Sequence, residues 1–260
     1  MQEELKIALV QSHLVWENPE QNRHNFTEKI NAINEEVDII MLPEMFTSGF
    51  TMNAKAVAET MNGDTVSWMQ DMSAKTNTAI IGSIVVSEND TFYNRLLFVT
   101  PNGSLEYYDK RHTFTLAGED KVYSKGESIL ITNYKGWKIC PLVCYDLRFP
   151  VWARNINDYD VLLYVANWPV TRIDAWDTLL KARAIENMSY CIGVNRIGVD
   201  GVNAKYNGSS ACYDVLGKKL TNIPLGEEVI EIVTLSKSHL DKYRSKLKFL
   251  ADRDCFNLLK

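Results

Sequence analysis

The chain has 260 residues, of which 46% are hydrophobic, 23% charged and 10% aromatic. This composition excludes a disordered, collagenous or low-complexity protein, and the length allows burial of roughly 70–75% of the unfolded chain's surface. A net charge of -5, with no block rich in Lys or Arg, argues against nucleic acid or an anionic membrane as the main partner.

The first segment, MQEELKIALVQS, has acids and a short apolar run where a secretory signal has a basic start and a longer core, and KIALVQS reads as a strand. Asn18-Pro19 opens a helix predicted to run through RHNFTEKINAINEEV. DIIMLPE is a continuous apolar run, as expected of a strand covered on both faces. TVSWMQDMSAKTN is helical in composition, and TAIIGSIVVSE is again a strand. FYNRLLFVT and SLEYYDK flank Pro101-Asn102-Gly103, a hairpin signal. Further on, WKICPLVCYD and YDVLLYVAN are predicted strands separated by a short helical stretch, FPVWARNIN. In TRIDAWDTLLKARAIENM, Ile173, Trp176, Leu180 and Ala184 trace one apolar stripe of a helix. SYCIGVNRIG, SSACYDV and EVIEIVTL follow as strands, with a turn at Leu216-Gly217, and KSHLDKYRSKLKFLADRD is a polar helical tail. With no linker, repeat or change of composition, residues 1–260 are expected to form one α/β domain of mixed sheets. Periodicity leaves open whether the strands make one sheet or two.

No stretch approaches the ~18 uncharged apolar residues of a membrane span. The five cysteines (Cys140, Cys144, Cys191, Cys212 and Cys255) are odd in number and scattered, which fits a reducing cytoplasm better than a disulfide framework. The chain lacks a G-x-G-x-x-G after a strand, a Walker loop, an H-E-x-x-H and a G-x-S-x-G. His13, His24, His112 and His239 are far apart, and the C-x3-C of Cys140 and Cys144 has no second ligand pair, so no metal site is expected.

Three positions combine reactive chemistry with a telling setting. Cys144 ends the apolar run ICPLVC just before a turn into the predicted helix, where backbone N–H groups can stabilise a thiolate or an oxyanion; a buried structural cysteine is the alternative. Glu44 directly follows a buried strand in DIIMLPEMFTSGF, a place equally suited to a helix cap or a satisfied loop carboxylate. Lys110 leaves a hairpin strand in EYYDKRHTF, where a solvated surface lysine is the ordinary reading.

Taken together, LPEMFTSGF, YDKRHTF and CPLVCYDLRFP resemble, in order and in local sequence, the motifs of the nitrilase superfamily. The resemblance extends through VANWP, LLKARAIENMSYCIGVNRIGVD and YNGSSACYDVLG, and CYDLRFP with KARAIENMSYCIGVNRIG points to its omega-amidase branch. It implies a four-layer α-β-β-α sandwich, a Glu44-Lys110-Cys144 triad, no cofactor, and a homodimer. It also implies a second glutamate between the lysine and the cysteine; in LAGEDKVYSKGE the best match is Glu119, with Asp120 and Glu127 nearby.

The implied reaction is hydrolysis of a small-molecule carboxamide by water. Cys144 would form a thioester, Glu44 would shuttle the protons, and Lys110 with the Tyr145 backbone N–H would face the oxyanion, while Glu119 orients Lys110. The branch implies an omega-amide of a dicarboxylic acid, such as 2-oxoglutaramate or succinamate, with a general aliphatic amidase or a carbamoylase as alternatives. The far carboxylate would need an arginine, for which Arg172, Arg148 and Arg111 are candidates, and Phe114 and Trp168 could wall the methylene chain. A rival reading pairs Cys144 with His112 in a Cys-His hydrolase, because a strand would point Lys110 and His112 to the same side.

Overall fold

Residues 2–258 are described in the computed structural model of the chain. In the first half, β1 (Glu4–Gln11), α1 (Pro19–Asn31), β2 (Ile39–Met41), the one-turn α2 (Ala54–Val57) and α3 (Asp64–Thr76) precede β3 (Ala79–Glu88), β4 (Thr91–Val99) and β5 (Leu105–Asp109). The second half runs β6 (Thr132–Tyr134), β7 (Trp137–Val143), β8 (Val161–Ala166), α4 (Ile173–Asn187) and β9 (Tyr190–Asn195). It ends with the small hairpin β10 (Ile197–Val199) and β11 (Lys205–Asn207), then β12 (Ala211–Tyr213), β13 (Val229–Ser236) and α5 (Lys237–Leu247).

The strands form two main sheets, in the orders β13-β1-β2-β3-β4-β5 and β12-β9-β8-β7-β6. Each has a parallel centre, β1-β2-β3 in one and β7-β8-β9 in the other, with antiparallel neighbours outside. The period-2 alternation of side chains decides what each face meets. Leu5, Ile7 and Leu9 of β1 join Ile139 and Val143 of β7 in the core shared by the two sheets. Ala8 and Val10 instead meet Phe26 and Ile30 of α1 and Val66, Met69 and Met72 of α3.

On the far side of the second sheet, Trp176, Leu180 and Ala184 of α4 are fully buried, as the stripe required, whereas Ile173 is partly buried. Gly193 of β9 lets α4 approach closely, since a Cβ there would stand 2.5 Å from Cζ2 of Trp176. The architecture is the four-layer α-β-β-α sandwich.

Two local expectations fail. FPVWARNIN forms turns, and the helical character falls earlier, in a 3-10 turn at Cys144–Arg148. Asp146 sets this, because its carboxylate takes the Val143 N–H and its carbonyl takes that of Phe149, closing the turn before Pro150. The first helix stops at Asn31 rather than reaching Val37, since the chain must turn so that Asp38 N–H donates to Lys6 O at the edge of β1. The hairpin after Thr100 is present, with Gly103 at φ +83° and Thr100 N–H donating to Ser104 O at 2.9 Å.

Candidate active site

Glu44 sits on the turn that leaves β2, where Met45 adopts φ +42° and donates its N–H to Ser83 Oγ of β3 at 2.9 Å. The glutamate is completely buried, so both carboxylate oxygens need partners. Oε1 accepts from Asn94 Nδ2 and from Lys110 Nζ, each at 2.8 Å. Oε2 accepts the Asn167 backbone N–H at 2.8 Å, and Asn167 Nδ2 donates to the Glu44 carbonyl at 2.6 Å. The acid is thus held between the two sheets, by β4 on one side and by the end of β8 on the other.

Lys110 follows β5, and its own N–H donates to Asn94 O at 3.0 Å. Gly126 lies against this backbone, donating to Lys110 O at 3.0 Å, and a Cβ at Gly126 would stand 2.0 Å from Asp109 O. Nζ of Lys110 also meets both oxygens of Glu119 at 2.9 Å, and Asn94 Nδ2 reaches Glu119 Oε1 at 3.3 Å. Glu119, also fully buried, begins a 3-10 turn, Glu119–Lys121, just after Gly118 at φ +77°. Asp120 and Glu127 are exposed, so of the three acids considered it is Glu119 that meets the lysine.

Two buried carboxylates therefore share one buried cation. Burial by itself would lower the Lys110 pKa, but the charges of Glu119 and Glu44 overcome this and raise it, so the ammonium persists. Burial pushes the Glu119 carboxyl above the usual carboxylate range, with Lys110 opposing and Glu44 reinforcing the rise.

Cys144 is the first residue after β7 and adopts φ +42°, in the left-handed region that an ordinary side chain avoids. The sequence predicts a thiolate stabilised by backbone N–H groups. Instead, burial foremost, then the negative charge of Glu44, raises the thiol well above its ordinary range. Both causes favour the protonated thiol over the thiolate.

Cys144 and Lys110 open into a cavity of about 360 Å³ whose lining also includes Phe50, Asn167 and Tyr206. Of the other residues singled out from the sequence, Phe114, Tyr145, Arg148, Trp168 and Arg172 line it too. Arg148 lays its guanidinium over Trp168 at 4.9 Å, Arg172 lays its own over Phe114 at 5.0 Å, and Phe114 meets Tyr145 edge-on at 4.9 Å. Arg111 is elsewhere: it donates to Gly126 O at 3.0 Å and stacks on Trp152. His112 does not line the cavity, because the strand ends at Asp109 and the chain then bends, pairing His112 Nδ1 with Asp146 Oδ1 at 2.8 Å. Among the described residues, no cluster of three or more His, Cys, Asp or Glu side chains has a metal-holding arrangement. Sequence reasoning missed Asn94 and Asn167. The available signal was an amide inside or ending an apolar strand, where only a buried polar partner justifies it.

The carbon-nitrogen hydrolase family profile matches residues 6–245. The chain belongs to the carbon-nitrogen hydrolase family. This carbon-nitrogen hydrolase is 43% identical, over 98% of both chains, to the omega-amidase YafV of Escherichia coli K12. It is 31% identical to the 2-oxoglutaramate amidase of Bacillus subtilis, over 82% of this chain and 84% of that one. The crystal structure of XC1258 from Xanthomonas campestris, a CN-hydrolase superfamily protein with an arsenic adduct in its active site, superposes with a TM-score of 0.96. That pair is 42% identical over 99% and 100% of the two chains. The chain is therefore a hydrolase of amide carbon–nitrogen bonds, in the omega-amidase branch of the nitrilase superfamily. None of its described helices is long and apolar enough to cross a membrane.

Proposed function

We propose that this hydrolase is an omega-amidase, cleaving the terminal carboxamide of dicarboxylic omega-amides such as 2-oxoglutaramate or succinamate. The observation that carries the reading is one cavity lined both by Cys144 and Lys110 and by the guanidinium-bearing Arg148 and Arg172. A substrate carboxylate leaving water needs such a partner, and the planar fork of an arginine matches it. The similarity to proteins called omega-amidase and 2-oxoglutaramate amidase supports the same reading.

In this mechanism Glu44 takes the Cys144 proton as sulfur attacks the carboxamide carbon, which makes a tetrahedral oxyanion. Lys110 has three N–H donors: Glu44 takes one, Glu119 can share one between its oxygens, and the third is left for the oxyanion, beside the Tyr145 backbone N–H. Collapse expels ammonia, protonated by Glu44, and leaves a thioester. Water, deprotonated by Glu44, then attacks the thioester and releases the dicarboxylic acid, returning the proton to sulfur. Glu119 holds Lys110 in line throughout, and Phe114 and Trp168 wall the methylene chain. The whole chain acts as one catalytic domain in the cytoplasm and works as a homodimer, with the exposed Ile185 and Leu216 on the α4 side as apolar contact surface.

Ammonia release from succinamate and butyramide tests the assignment, because the two have similar bulk and only one carries a second charge. A kcat/KM for succinamate at least about tenfold higher is expected from a guanidinium–carboxylate contact. Equal values would leave a general aliphatic amidase.

A further inference from the structure

The residues two before and two after Lys110 are tied to one carboxylate, and that carboxylate belongs to the residue two after Cys144. Asp146 is completely buried and accepts four hydrogen bonds. Oδ1 takes the backbone N–H of His112 at 3.0 Å and its ring Nδ1 at 2.8 Å. Oδ2 takes the Tyr108 hydroxyl at 2.8 Å and the Val143 N–H at 3.1 Å. The Tyr108 oxygen in turn accepts the Arg111 N–H at 3.1 Å and Trp152 Nε1 at 3.0 Å. Every partner comes either from residues 108–112, around Lys110, or from residues 143–152, around Cys144.

We propose that Asp146 is a positioning residue that fixes Lys110 and Cys144 relative to each other, and that His112 serves as a ligand of its carboxylate and not as a proton shuttle. The inference rests on the catalytic roles proposed above for Lys110 and Cys144. Those two segments approach from different sheets, and the Asp146 carboxylate bonds to both. The left-handed backbone of Cys144 needs support to persist, and the bond from Val143 to Asp146 supplies it one residue away. The His112 ring stacks on Phe149 at 3.6 Å, Phe149 meets Tyr145 at 5.1 Å, and Tyr145 meets Phe114 at 4.9 Å. The clamp therefore also steadies the residue whose N–H faces the oxyanion. Because Nδ1 faces a carboxylate oxygen, the pairing requires the tautomer in which His112 donates its Nδ1–H.

The test compares His112→Ala, His112→Asn and Asp146→Asn using succinamate turnover, with Cys144→Ala and Lys110→Ala run alongside. An asparagine at 112 places an amide N–H about where Nδ1 stands, but it cannot relay a proton. His112→Ala should lower kcat about tenfold with KM within about threefold, and His112→Asn should recover most of that loss, as expected for misplacement without lost chemistry. Asp146→Asn, which turns one acceptor into a donor facing another donor, should lower kcat more than His112→Ala. If it does not fold, the His112 pair decides. Three results would overturn the proposal: His112→Asn no better than His112→Ala, complete loss in both, or a folded Asp146→Asn with lowered Tm but wild-type kcat. Full activity in Cys144→Ala or Lys110→Ala would instead overturn the triad, separating the two failures.

Discussion

Lys110 Nζ lies 2.8 Å from Glu44 Oε1, with both groups buried, and the same ammonium is held by Glu119. The ammonium balances the charge of the buried Glu44 carboxylate, the group proposed above to take the proton of Cys144. The pair therefore links charge balance to chemistry, and removing either partner should affect both.

Lys110→Ala should lower kcat by at least ~100-fold through loss of an oxyanion donor and cost about 3–5 kcal/mol at neutral pH by stranding two buried carboxylates. The Glu119 pKa is already raised above 4.5, and losing the cation raises it further. A carboxyl whose folded pKa is raised stabilises the fold when protonated, an effect fully present below the unfolded pKa and lost as pH rises through the folded one. The stability deficit of Lys110→Ala relative to wild type should therefore shrink as pH falls from 7 toward 5, which urea unfolding at several pH values checks. A deficit constant with pH would count against the shared-cation picture.

Glu44→Gln keeps the volume and removes the base. We expect kcat to fall by at least ~100-fold, the usual size of a general-base contribution. A variant that folds and retains more than about a tenth of wild-type turnover would reject the role of Glu44 as base.

A rapid quench with a slow ester or amide substrate should show one acyl adduct, on Cys144, by peptide mass analysis. Cys140, Cys191 and Cys212 are fully buried and outside the cavity, and Cys255 is exposed and remote in sequence. An adduct on any of these overturns the assignment. Because the Cys144 thiol is raised, its alkylation by iodoacetamide should still be climbing above pH ~8.5, where an ordinary thiol is levelling off. Cys144→Ala should fold and be inactive.

Arg172→Ala and Arg148→Ala distinguish the two cationic side chains of the cavity. Whichever grips the far carboxylate should raise KM for succinamate about tenfold or more and leave butyramide turnover unchanged. If both variants treat the two substrates alike, neither arginine reads the carboxylate.

In sedimentation at micromolar concentration the protein should run at twice the chain mass. A stable monomer would remove the homodimer from the proposal.

Apolar runs, periodicity and three motif segments were enough to place β1, β3, β8 and α4 and to single out Glu44, Lys110 and Cys144, because a strand's alternation and a helix's stripe are written locally. What each polar residue meets was not local. Glu44 and Asn167 are bonded across 123 positions of chain, and Asn94 touches two acids that are themselves far apart in sequence. Only the stacking of the two sheets brings these groups together and selects buried Glu119 over the exposed Asp120 and Glu127. The same is true of His112: as a strand residue it would share the side of Lys110, but the strand ends first, and the buried Asp146 carboxylate, needing donors, draws the ring away from the cavity. Periodicity records which face of an element is apolar. The pairing of buried charges depends on which faces meet, and that was decided only when the sandwich closed.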